Sequence, residues 1–127
     1  MSEHRLRPLL EPKSIALVGA SAREGSFGLS TLRNLNNPGF TGRVHPVNPS
    51  HESIEGLACY PTLGDIPGGV EHAVLSVANA GIEDAMTQAA LAGVKAVTMF
   101  GSGYLEGDTG EPKLKERLQA IAREAGI

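Results

Sequence analysis

Apolar residues fall along this chain in four short runs, divided by turn residues and by segments in which apolar positions recur every three or four residues. The run Ile15-Ala16-Leu17-Val18 has no polar face, which suits a central strand of a parallel sheet covered on both sides. Before it, residues 6–12 read as a short helical lead-in that caps the sheet and is closed by Pro12. After it, Phe27, Leu32 and Leu35 predict a helix over residues 27–36, stopped by Asn36-Asn37-Pro38-Gly39. Residues 42–49 predict a second strand, and Pro46 and Pro49 keep it from being fully paired along its length. Residues 53–67 are rich in Gly and Pro and read as a connection with a short strand around 57–60 and one helical turn. Strands are then expected at 72–77 and 94–100, and helices at 82–92 and 112–125. Gly93 and Gly126 end the two helices, and Glu111 and Pro112 open the second.

Strand and helix alternate throughout, which predicts an α/β fold: a Rossmann-like, doubly wound, mainly parallel sheet with helices on both faces. With 127 residues, 41% of them apolar, the chain fits one domain with a single core. In such folds ligands bind beyond the carboxyl ends of the strands. Three loops are expected to converge there, residues 19–28, 48–51 and 101–103. The first carries Gly19, Gly25 and Gly28, whose backbones can approach an anion, and it leads into free amides at a helix start. Five residues separate Gly19 from Gly25, so the spacing departs from the G-x-G-x-x-G dinucleotide fingerprint. The second strand ends in Asn48 and Pro49 without the acid that would hold an NAD ribose.

Composition narrows the ligand. A formal charge of −3, a pI near 5.8 and the lack of any Lys or Arg block give no footprint for nucleic acid or an acidic membrane, while a small anion needs only a local positive site. Aromatics are 4% with no Trp, which argues against base stacking. Cys59, the one cysteine, is expected as a small core residue, and the four histidines lack ligand spacing. No apolar stretch approaches the ~20 residues that span a bilayer, and residues 1–8 lack a signal core, so a cytoplasmic protein is expected.

The ordered set Pro12-Lys13-Ser14-Ile15-Ala16-Leu17-Val18-Gly19-Ala20-Ser21, Gly25-Ser26-Phe27-Gly28, Asn34-Leu35, Gly39-Phe40-Thr41-Gly42, Pro46-Val47-Asn48-Pro49, Ile54-Glu55-Gly56-Leu57, Tyr60-Pro61-Thr62-Leu63, Asp65-Ile66-Pro67 and Gly93-Val94-Lys95-Ala96 is more specific than any one loop. It resembles the CoA-binding domain of NDP-forming acyl-CoA synthetases, relatives of the succinyl-CoA synthetase alpha chain, over nearly the whole chain. The resemblance implies that residues 1–127 are a single CoA-binding domain, the N-terminal part of a longer ligase. It implies that Ser21, Gly25, Ser26 and Phe27 lie against the CoA phosphates, in the loop that Gly19 and Gly28 bound; Arg23 and Arg43 are candidates for an added charge-assisted bond, with a solvated surface charge the equal alternative for each. Asn48 and Pro49 would border the adenosine end, and Phe100, Gly101 and Ser102 the far wall. Two positions depart from the pattern. Ser50 stands where the family often has Lys, leaving His51 or Arg23 to supply a cation, and Val77-Ala78-Asn79 stands where it commonly has Val-Pro-Ala.

No catalytic residue and no metal ligand is expected in this chain. In the resembled family the phosphorylated histidine lies in the next domain, and ATP or GTP with Mg binds in the domains or subunit that complete the enzyme. The family domain also continues with a further strand carrying Gly-Pro-Asn. The partners expected are CoA and those remaining ligase domains, with no nucleic acid and no membrane, and a homo-oligomer is left open. Two alternatives stand beside the ligase reading: a CoA-binding regulatory module of a protein acetyltransferase or a stand-alone CoA-binding protein, and an NAD(P)-binding domain.

Overall fold

In the computed structural model, residues 4–37 and 39–127 are described. Met1–Glu3 of the amino-terminal segment and Pro38 of the first stop signal lie outside the described residues. Four parallel strands form one sheet in the order β2-β1-β5-β6: β1 (Ser14–Val18), β2 (Arg43–Val47), β5 (His72–Leu75) and β6 (Ala96–Met99). The helices are α1 (Arg7–Leu10), α2 (Phe27–Leu35), α3 (Asn79–Leu91) and α4 (Leu114–Ala125). Chain order reverses direction across the sheet between β1 and β5, so the fold is Rossmann-like and doubly wound, with its switch point at that pair.

Strand alternation sorts the core into two layers. Ile15, Leu17 and Val74 point to the face covered by α2, where Leu29 and Leu32 are buried with Ile54 and Cys59. Ala16, Ala73 and Leu75 point to the other face, against Ile82, Met86 and Ala89 of α3 and Leu114 and Leu118 of α4. The all-apolar run of β1 has this cause: it is buried on both sides, as expected of an inner strand. Pro46 sits in β2, which is an edge strand, so its missing amide leaves no ladder bond unmade on the open side.

Three local readings are revised. Residues 53–60 form a two-stranded hairpin, β3 (Ser53–Ile54) and β4 (Leu57–Ala58), rather than one short strand; Glu55 and Gly56 take left-handed angles at its turn, and Tyr60 bridges to Val47 of β2. Helix α3 begins at Asn79, three residues before the expected start, because Gly81 lies within the first turn instead of ending the loop. Helix α4 begins at Leu114, after Pro112. Its first amides are held by Asp108, whose carboxylate accepts from Leu114 N at 2.8 Å and from the Arg117 guanidinium at 3.2 Å. Arg117 also reaches Glu83 of α3 at 3.0 Å, so one guanidinium fastens the 101–113 connection to the neighbouring helix.

His72 starts β5 in a buried position, with Nε2 hydrogen-bonded to Thr98 Oγ1 at 2.8 Å and Nδ1 buried without a partner. Burial therefore holds its pKa below the ordinary histidine value. His45 of β2 is depressed too, by burial and then by Arg43. Between the folded and unfolded pKa values only the unfolded chain takes up the proton, so stability is full above about pH 6.5 and falls as pH drops below it. Urea midpoints at pH 7.5 and 5.5 should show this loss, and His72→Gln should shrink it. An equal loss in parent and variant would remove His72 as a source.

Candidate functional site at the carboxyl edge of the sheet

Because the four strands are parallel, the segments after β1, β2, β5 and β6 all emerge on one edge. At the switch point the β1 loop presses on the β5 loop. Gly19 has φ +90°, and a Cβ there would collide with the Ser76 carbonyl, while a Cβ on Gly28 would stand 2.6 Å from the Gly19 carbonyl oxygen. Gly19 and Gly28 therefore owe their lack of a side chain to the packing of protein on protein. Gly25 is different: it has φ +79° and is exposed, and nothing lies within 4 Å of where its Cβ would be. Of the three glycines, it is the one whose bare backbone faces open space.

Helix α2 starts immediately beyond. Ser26 is buried and caps it, its Oγ accepting from Leu29 N at 3.2 Å, and the helix itself offers no acceptor to the amides of Phe27 and Gly28. Ser21 Oγ accepts from Arg23 N at 3.0 Å, so both hydroxyls have their oxygen bonded inside the loop and keep a proton to donate. Arg23 is exposed and makes no ion pair among the described residues. Glu24, the acid of this loop, is neutralised by Arg33, which lies 2.8 Å from it and 2.9 Å from Glu55. The Arg33 guanidinium holds the Glu24 carboxyl below its usual range, though an exposed network of this kind adds little stability.

Asn48 and the aromatic residues also join the loops to one another. The Asn48 amide donates to Ala20 O at 2.7 Å and its Oδ1 accepts from Ser50 N at 2.7 Å, so the side chain ties the β2 loop to the β1 loop. Pro49 and His51 are exposed beyond it. Phe27 and Phe100 meet edge to face with ring centroids 5.0 Å apart, joining the β1 and β6 loops over the edge while each stays 57% exposed. Their rings form an apolar wall. Gly101 and Ser102 are exposed next to them, and Gly101 lies so close to Asn79 that a Cβ would sit 2.5 Å from its Oδ1.

Asn79 was not foreseen at the site. Its Nδ2 donates to Ser102 Oγ at 3.3 Å and its Oδ1 is buried without a partner, at the first residue of a helix whose N-cap, Ala78, makes no side-chain bond. The signal was an Asn directly after a strand, hidden by taking Gly81 as the helix boundary. The departure Val77-Ala78-Asn79 therefore leaves the strand-to-helix turn in place. Arg43 requires a correction: it is the first residue of β2 and pairs in register with Ser14, at the opposite edge of the sheet from the glycine loop. It stands apart from any phosphate held by that loop.

Two helix starts, a bare glycine and small hydroxyls thus lie together on one edge of an α/β domain, an arrangement whose chemistry suits an anion. The chain belongs to the CoA binding domain family, whose model matches residues 13–127. It is 37% identical to the trans-feruloyl-CoA synthase of an unknown prokaryotic organism, over 99% of this chain and 18% of that protein. It is 36% identical to the ADP-forming acetate–CoA ligase II of Archaeoglobus fulgidus, over 96% of this chain and again 18% of that protein. The solved apo structure of the dinucleotide forming acetyl-coenzyme A synthetase 1 of Ca. Korarchaeum cryptofilum superposes with a TM-score of 0.86 at 38% identity, covering 96% of this chain and 26% of that one. The chain thus spans less than a fifth of the length of these two curated relatives.

Gly19→Ala should unfold the domain more readily by about 3 kcal/mol, since it combines a disallowed φ with a collision against backbone that cannot swing away. Urea denaturation measures it. A loss below about 1 kcal/mol would mean that the β1 and β5 loops can part at little cost.

Proposed function

We propose that the chain is the CoA-holding domain of a cytoplasmic NDP-forming acid–CoA ligase, and that residues 19–28 bind the CoA phosphates. The observation that carries the reading is the family match over residues 13–127, which contains the whole carboxyl edge. The amides of Phe27 and Gly28 and the hydroxyls of Ser21 and Ser26 would donate to phosphate oxygens, and Arg23 would add a charge-assisted bond. Pro49 would flank the adenosine end, with Asn48 holding the loop in place. Phe27 and Phe100 would cover the apolar part of the ligand, beside Gly101 and Ser102. ATP or GTP with Mg, and the histidine that carries phosphate, would belong to the other domains or to a partner subunit.

Calorimetry of the chain with CoA and with NAD tests the ligand, and CoA should bind more tightly because the second strand lacks a ribose acid. Tighter NAD binding would refute the reading. Gly25→Val should cost about 1–2 kcal/mol of folding stability, from its left-handed φ alone, and lower CoA affinity at least about tenfold. A variant that binds CoA like the parent would show Gly25 to be only a turn residue.

The chain alone should give no thioester from acid, CoA and nucleoside triphosphate, and activity should appear when the remaining domains are supplied. Phosphoryl transfer needs a nucleophile poised at phosphorus and a metal–nucleotide site, and holding CoA provides neither. Turnover by the chain alone would overturn this division of labour.

A further inference from the structure

A cavity of about 610 Å³ lies at the other end of the sheet, where the strands begin. Each strand of the parallel sheet starts at or just after a charged residue: Arg43 opens β2, Lys13 precedes β1, Glu71 precedes β5 and Lys95 precedes β6. Parallel pairing lines these four up in a row across the sheet edge, with Arg43 N donating to Lys13 O at 3.0 Å and Lys95 N to Glu71 O at 2.9 Å. Arg5 and Arg7, beside and within α1, close the cavity from a fifth segment. Among the described residues, Arg5, Arg7, Lys13, Arg43 and Lys95 therefore line one hollow together with one acid, Glu71.

That acid is already engaged. Glu71 accepts from Arg7 at 2.6 Å and from Lys13 N at 3.0 Å, and the Arg7 bond holds its carboxyl below the usual range. Arg5, Lys13, Arg43 and Lys95 are exposed and make no ion pair among the described residues. The carboxyl ends of α3 and α4 reach this cavity at Gly93 and Gly126 and bring about half a negative charge each. Among the described lining residues, the charges of Arg5, Lys13, Arg43 and Lys95 outweigh these two helix ends. The wall between the cations is bare backbone at Gly68 and Gly93, where nothing stands within 4 Å of a Cβ position.

We propose that this amino-edge cavity is a second anion site, taking a compact polyanion of the diphosphate class, independent of the CoA loop. Cations converging from separate segments on one hollow match a compact polyanion better than an extended acidic peptide, and the volume suits a small ligand. Amide NMR of the chain titrated with inorganic pyrophosphate at low ionic strength tests the site. Shifts should gather at Lys13, Arg43, Gly68 and Gly93, and added salt should weaken them. The double variant Arg43→Ser, Lys95→Ser, checked for folding by circular dichroism, should bind at least about tenfold more weakly as read from the Gly68 and Gly93 shifts. Shifts confined to residues 19–28, no binding, or unchanged affinity in the double variant would each overturn the proposal. The parent's shift map decides the matter even if the double variant does not fold. Failure of CoA to bind would leave this result untouched, because the two sites share no residue.

Discussion

The carboxyl edge depends on one close approach of main chain to main chain, Gly19 against the Ser76 carbonyl with Gly28 pressed on the Gly19 carbonyl from above. Strands β1 and β5 are hydrogen-bonded neighbours, yet the chain leaves them toward opposite faces, since α2 covers one layer and α3 the other. At that divergence the loop after β1 has room only if it carries no side chain. Given that fit, α2 begins at the edge itself, Ser26 caps it and the amides of Phe27 and Gly28 have no acceptor within the helix. Asn48 and Phe27 then fix the loop to its neighbours on either side, through Ala20 O and the Phe100 ring.

How far the sequence disclosed this fold follows from where each segment's partners lie. Strands β1 and β5 were legible because burial on both faces leaves an apolar run, β6 because its residues are mostly apolar although only Ala96 is buried, and β2 because Pro46 marks an edge. The β3–β4 hairpin was not: two residues per strand are too few for a period, and its stability comes from Ile54 and Cys59 packing into the α2 layer. The start of α3 was missed because a glycine reads as punctuation even where a helix tolerates it in an open first turn. Asp108 capping α4 from six residues upstream is a contact that no local motif encodes.

At the candidate site, location was legible and role was not. The glycine loop stood out by spacing, but sequence cannot tell a glycine that packs from one that opens. Gly19 and Gly28 touch backbone and Gly25 touches nothing. Arg43 is the sharper case. The expected strand, residues 42–49, already carries Arg43 at its amino end, and in a parallel sheet that end lies on the edge opposite the glycine loop. The same effect hid the basic cavity: its cations are dispersed from Arg5 to Lys95 in sequence and come together only because parallel strands all begin on one edge.

The distribution of perturbed groups bears on what the carboxyl edge does. Acid–base centres require pKa values shifted toward the working pH, and such shifts gather where chemistry occurs. Here the depressed histidines are His72, at the start of β5, and His45, inside β2 against the Tyr60 ring. Neither lies among the loops at the glycine edge. Cys59 comes near, with Sγ 3.6 Å from Asn48 O, but burial pushes its thiol up, away from the thiolate a nucleophile needs. What the edge offers is amide dipoles, hydroxyl protons and an apolar wall, all of which favour a phosphate ester in its ground state. Groups of this kind lower the free energy of a bound ligand without moving a proton or an acyl group. On the proposed reading, groups of this kind hold and orient one substrate at this edge.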